Sequence, residues 1–309
     1  MRPTKSILAI TVIFVVFVSC KNSGTEKTVD SLKTEFREIK NDDYELSRPI
    51  EGLKSVLILF GGYPEKADDI KREFKILELA MQNSIAVVFM NYNQKLWLEE
   101  NEKQKLAEQL KRIFIENDLP GKSIYFGGFS SGGNVALLIG DFLSHQNSSL
   151  APKGVFVVDS PVDLVALYKS SEKNIARNYS EPSIQESTWL LETLGEKFGN
   201  PHHNVSKYEV GSIYTSETNN IDNIRNLKST KIRFYTEPDT IWWKENRMAD
   251  YDQMNAYYLK QLSESLKNSD FNKVEYKQTK NKGFRANGER HPHSWSIVDK
   301  EDLIEWILK

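Results

Sequence analysis

Short, continuous apolar runs separated by helix-period segments constrain this chain more than any other feature. Ser55–Phe60 (SVLILF), Ile85–Met90 (IAVVFM) and Gly154–Val158 (GVFVV) lack the polar alternation of a sheet with one wet face. Runs of that kind suit strands covered on both sides. Ser123–Phe126 is a further short strand. Between the runs, Lys66–Met81 places Ile70, Phe74, Ile76, Leu77, Leu79 and Ala80 at helical spacing, and Leu96–Asn117 is a long Glu/Lys-rich amphipathic segment. Asn134–Leu143 is small and apolar, as a helix against a sheet should be. The rhythm resumes with Lys231–Thr236 (KIRFYT), a helix around Asn246–Lys267, Lys273–Gln278 and a last helix near Glu301–Lys309. Strands alternating with helices predict an α/β, doubly wound, mostly parallel sheet with right-handed crossovers. Residues 162–230 break the rhythm, with Trp189, Leu190, Leu191 and Leu194 in a helix-like stretch. That segment is expected to be a helical cap over the carboxyl ends of the strands, where doubly wound folds bind ligands; the alternative is a long helical crossover.

Composition narrows the function classes. Of the 309 residues, 41 are Lys or Arg and 43 Asp or Glu, so no basic excess supports nucleic-acid binding. With 11% aromatic residues and no block of like charge, disorder is not expected. A single cysteine excludes an intrachain disulfide framework and a multi-cysteine metal site.

That cysteine closes an address. Arg2 and Lys5 precede the near-apolar run Ile7–Ser19, and Cys20 follows directly. Thirteen residues are too few to span a bilayer, which takes ~20. A charged start, a short apolar core and a small residue describe a secretory signal. The segment resembles a bacterial lipoprotein signal, which implies cleavage after residue 19, lipidation of Cys20 and anchorage to a membrane outside the cytoplasm. It departs from the usual pattern at Phe17 and Val18. The expected organisation is a signal over 1–19, a polar tether over 20–49, and one domain over 50–309 that includes the insertion 162–230.

The sharpest chemical motif is Gly128-Phe129-Ser130-Ser131-Gly132, set between a strand and a helix. G-x-S-x-G in that context is a nucleophile elbow: a tight turn that exposes the serine, with small neighbours letting the chain pass. Ser130 is the expected nucleophile, and it needs a base. The chain has five histidines: His145, His202, His203, His291 and His293. His291 and His293 fall between the last strand and the last helix; His293 is the first choice and His291 the second. A carboxylate should orient the ring. Asp239, just after the strand KIRFYT, is preferred, followed by Glu237 and then by Asp159 at the end of GVFVVD. Two backbone N–H groups should form an oxyanion hole: Ser131, and Gly62 or Tyr63 after the first apolar strand. Trp242 and Trp243 either line a substrate pocket or pack as core. His202 and His203 are adjacent and share no helical face, and His291 and His293 lack ligand spacing, so no metal is expected.

Taken together, LFGG, GFSSG, the EPD after a strand and HPHSW near the end resemble the α/β-hydrolase superfamily over about residues 50–309. The resemblance implies a mostly parallel sheet, a cap between the sixth and seventh strands, and acyl transfer to water through an acyl-enzyme, without a cofactor. Phe60 stands where the HGGG branch of lipases and esterases has histidine, which leaves the ester class open. The expected substrate is a small-molecule or glycan ester. The rivals are a serine peptidase using the same residues and a catalytically silent hydrolase-fold binding lipoprotein.

Overall fold

In the computed structural model, residues 36–92 and 95–309 are described. The chain order is β1 (Phe36–Lys40), β2 (Tyr44–Pro49), β3 (Ser55–Phe60), α1 (Ala67–Phe74), α2 (Leu77–Gln82), β4 (Ile85–Met90), α3 (Glu100–Glu116), β5 (Ile124–Phe129) and α4 (Ser131–His145). It continues with β6 (Gly154–Val158), α5 (Leu164–Arg177), α6 (Glu181–Phe198), α7 (Ser206–Glu209), β7 (Lys231–Thr236), α8 (Thr240–Arg247), α9 (Asn255–Lys267), β8 (Val274–Gln278) and α10 (Lys300–Leu308). The strands form one sheet in the order β1-β2-β4-β3-β5-β6-β7-β8, antiparallel at β1-β2 and β2-β4 and parallel from β4 to β8.

Alternation along each strand sends neighbouring side chains to opposite faces. Val56, Ile58 and Phe60 of β3 belong to one core with Leu110 of α3, Leu137 of α4 and Leu259 of α9 on one face. Leu57 and Leu59 belong to a second with Ile70 of α1, Ala80 of α2 and Leu303 of α10 on the other. The buried strands need apolar residues at every position because both faces are covered, as their sequences predict.

Some boundaries differ for identifiable reasons. The helix expected over Lys66–Met81 is broken at Lys75, whose φ of 51° ends α1 in the left-handed region before α2 begins. The segment expected as one helix near Asn246–Lys267 is α8, a 3-10 turn at Tyr251–Gln253, and α9. Residues 36–49, expected within the tether 20–49, instead form β1 and β2. β1 is the exposed edge strand, and β2, though inside the sheet and mostly buried, carries Glu45, Ser47 and Arg48 among its six residues, so the hairpin lacks the apolar signature of the central strands. Glu45 of β2 is buried, held in ion pairs with Lys40 and Lys71. The segment 1–19 expected to be a signal, and Cys20, lie outside the described residues.

Between β6 and β7 run α5, α6 and α7, with a small core of their own: Leu164, Val165, Leu190, Leu194, Phe198 and Tyr208, joined by Leu96. Asp163 fastens the start of this insertion. One of its oxygens accepts from Ala166 N–H at 3.0 Å, capping α5, and the other from Ser216 N–H at 2.8 Å and Ser216 Oγ at 2.6 Å.

Candidate active site

The turn from β5 into α4 carries Ser130 at φ 52°, ψ −129°. A non-glycine residue there stores roughly 1–3 kcal/mol of strain, which persists only where surrounding structure enforces it. Packing does so here. A Cβ on Gly128 would lie 2.1 Å from Gly132 O, and one on Gly132 would lie 2.2 Å from Phe60 O. Both flanking glycines are therefore required by backbone-to-backbone contact. Ser130 N–H is fixed to Val158 O of β6 at 2.9 Å.

His293 is held by Asp159. Its Nδ1 lies 2.6 Å from Asp159 Oδ2, and its ring centre is 4.4 Å from that of Phe129, the residue before Ser130. Asp159 follows β6 directly with φ 45°; its N–H donates to Tyr235 O at 2.9 Å, and its carbonyl accepts from Asn255 Nδ2 at 2.8 Å. The backbone of Asp159 is thus pinned from β7 and α9. Ser130 Oγ has no hydrogen bond among the described residues; such catalytic contacts are commonly loose until substrate tightens them.

The preferred acid of the sequence is placed elsewhere. Asp239 caps α8 through Trp242 N–H at 3.0 Å and pairs with Arg290 Nη2 at 2.7 Å. Glu237 is also engaged: it is paired with Arg290, and its Oε2 accepts from Lys282 N–H at 2.8 Å, Gly283 N–H at 3.1 Å and Thr279 Oγ1 at 3.1 Å. The reason is sheet order. β6 is the direct neighbour of β5, whereas β7 is one strand further, about 4.8 Å more. Glu237, Asp239 and Arg290 instead anchor the loop 279–293 that delivers the histidine.

His291 takes a different environment from His293. It is 9% exposed, its ring lies 4.7 Å from Trp242 and 6.0 Å from Trp243, and its Nδ1 has no partner among the described residues. Burial, with the charges of His293, Arg285 and Arg247 nearby, pushes its pKa down to about 3. Trp242 and Trp243 meet edge-on at 5.2 Å and wall in His291.

The strand β3 leads into the second flank of the site. Gly62 touches Ser130: a Cβ there would lie 2.9 Å from Ser130 Cβ. Its N–H, expected as one of two alternatives for the oxyanion hole, donates to Glu65 Oε2 at 3.0 Å. Tyr63 N–H has no partner among the described residues. Ser131 opens α4, where the first N–H groups have no intrahelical acceptor. Glu65 also accepts from Trp295 Nε1 at 3.1 Å, and burial raises its carboxyl above the ordinary range. The sequence reading missed Glu65. Its spacing three residues after Gly62 fits a carboxylate closing the turn, but nothing local marks it. The Tyr63 ring stacks on Trp189 of α6 at 5.3 Å, joining this loop to the insertion.

No protein-family model matches the chain, and no curated protein sequence is significantly similar to it. Solved structures are similar in fold. An esterase of Pyrococcus furiosus is 14% identical, with 89% of this chain and 89% of that one covered at a TM-score of 0.53. Carboxyl esterase 2 of Tuber melanosporum is 15% identical, with 90% and 87% covered at 0.53. Fluorophosphonate-binding serine hydrolase F of Staphylococcus aureus is 12% identical, with 89% and 98% covered at 0.50. The chain has the α/β-hydrolase fold.

Proposed function

We propose that the protein is a serine hydrolase that cleaves carboxylic esters of small molecules or glycans through an acyl-enzyme, with Ser130 as nucleophile, His293 as base and Asp159 as orienting acid. The observation that carries this is the 2.6 Å contact of Asp159 with His293 Nδ1 beside a strained Ser130 elbow. With Nδ1 turned to a carboxylate, Nε2 is the nitrogen that takes a proton. Ser130 Oγ attacks the acyl carbon as Nε2 accepts its proton; the oxyanion is held by the N–H groups of Ser131 and Tyr63, since Gly62 N–H is engaged by Glu65. The tetrahedral adduct collapses, the leaving alcohol takes the proton from His293, and an acyl-Ser130 ester remains. Water attacks this ester while His293 takes its proton, and the carboxylic acid departs as Ser130 is reprotonated. Each oxyanion donor is worth ~3 kcal/mol in such sites. Esterase activity of proteins sharing the fold supports the ester as the scissile bond.

The test is labelling with a fluorophosphonate probe, followed by hydrolysis of short-chain p-nitrophenyl esters. Labelling of the parent that is lost in Ser130→Ala and strongly slowed in His293→Ala is expected. A folded parent that neither labels nor hydrolyses any ester would overturn the assignment.

A further inference from the structure

His291 also lines a cavity of about 670 Å³, walled by the end of α1, the end of α8 and the loop 285–291. Arg72, Lys75, Arg247 and Arg285 line it against two carboxylates, Glu73 and Glu289, in a chain whose net charge is −2. Arg72 is engaged by Asp69 at 2.8 Å and Glu73 at 3.2 Å, and Glu73 also accepts from Ala286 N–H at 2.8 Å. Lys75, Arg247 and Arg285 form no ion pair among the described residues. A basic residue at one helix C-terminus is commonplace. Here, however, two helix ends and a loop bring three cations without ion pairs to one concavity, and their fields add there.

The cavity reaches toward the candidate active site through one residue. His291, more than nine-tenths buried, lines it, and its ring centre is 6.3 Å from that of His293. The Arg285 charge acts on both His291 and Glu65, which holds Gly62 beside Ser130.

We propose that this cavity binds an oxyanion group of the substrate, a carboxylate or a phosphate, so that the enzyme selects esters carrying a negative charge near the scissile bond. The proposal rests on the serine-hydrolase assignment above for its link to catalysis, but the anion site is measurable without it. Guanidinium groups present paired, fixed donors that match both anions, and a neutral acyl chain gains nothing from them.

Calorimetric titration of glutarate, inorganic phosphate and neutral glutaramide into the full chain carrying Ser130→Ala tests binding independently of turnover. Glutarate or phosphate should bind, more weakly at higher salt, and Arg285→Gln or Arg247→Gln should weaken binding by about tenfold or more. The tighter of the two anions identifies the group. Failure of both anions to bind, equal binding of glutaramide, or binding unchanged in both variants overturns the site. In the second arm, kcat/KM is compared for the p-nitrophenyl monoester of glutarate and for p-nitrophenyl valerate. The anionic-to-neutral ratio should fall about tenfold in Arg285→Gln. A ratio that does not move overturns the role in substrate selection. Anion binding by a chain that hydrolyses neither ester leaves the site standing and overturns the ester assignment instead.

Discussion

Exchanging Asp159 for Asn separates the carboxylate held against His293 from Asp239, the one the sequence favoured. The change keeps the size of the side chain but removes the charge facing His293 Nδ1 at 2.6 Å, a separation typical of a charge-assisted hydrogen bond. An asparagine amide donates a proton to Nδ1, which places the ring proton on Nε2, the wrong tautomer for accepting one from Ser130. The imidazolium that forms in the transition state also loses its counter-charge. In serine hydrolases the same substitution costs about 10⁴ in kcat, which corresponds to ~5 kcal/mol. Asp239→Asn is the matched control. Asparagine caps a helix as well as aspartate does, so the bond to Trp242 N–H persists, and Glu237 still holds Arg290. Its kcat/KM should stay within about threefold of the parent, or ~0.7 kcal/mol. The assay is p-nitrophenyl butyrate hydrolysis at neutral pH, with thermal melts to show that both variants are folded. A folded Asp159→Asn within tenfold of the parent, beside an inactive Asp239→Asn, would refute the reasoning and restore the carboxylate after β7.

Two further outcomes follow from buried groups of the same loop. His291 has a pKa near 3 in the folded chain against about 6.5 when unfolded, so between those values the unfolded state binds more protons. Its stabilising effect is fully present above pH 6.5 and is lost as pH falls toward 3, with a slope approaching ~1.4 kcal/mol per pH unit. Urea unfolding of the parent and His291→Phe at pH 7 and pH 5 checks this: the variant should lose less stability on acidification, and equal losses would contradict it. Arg290→Met leaves Glu237, only 3% exposed, without its cation, and should destabilise the chain by ~3 kcal/mol. A urea midpoint shift equivalent to under ~1 kcal/mol would show that the backbone donors of Lys282 and Gly283 suffice for that carboxylate.

The chain alone determined the alternation of strands and helices, and hence the parallel core. SVLILF, IAVVFM, GVFVV and KIRFYT are buried on both faces, and double burial writes itself into consecutive residues. It also determined the Ser130 turn, because the constraint there is local: Gly128 and Gly132 are needed where backbone meets backbone. The hairpin 36–49 left no such trace, since β1 is an exposed edge strand and β2, though buried, sets Glu45, Ser47 and Arg48 among its apolar residues. Only the tertiary structure decided which partner each polar group takes. Asp159, Glu237 and Asp239 all stand just after parallel strands, and no sequence spacing ranks them. Strand order puts Asp159 beside β5 and against His293, and gives Arg290 to the other two. Likewise Glu65, three residues on, takes Gly62 N–H. Burial patterns are local in the chain, whereas hydrogen-bond pairing is settled between segments that only the packed sheet brings within 3 Å of one another.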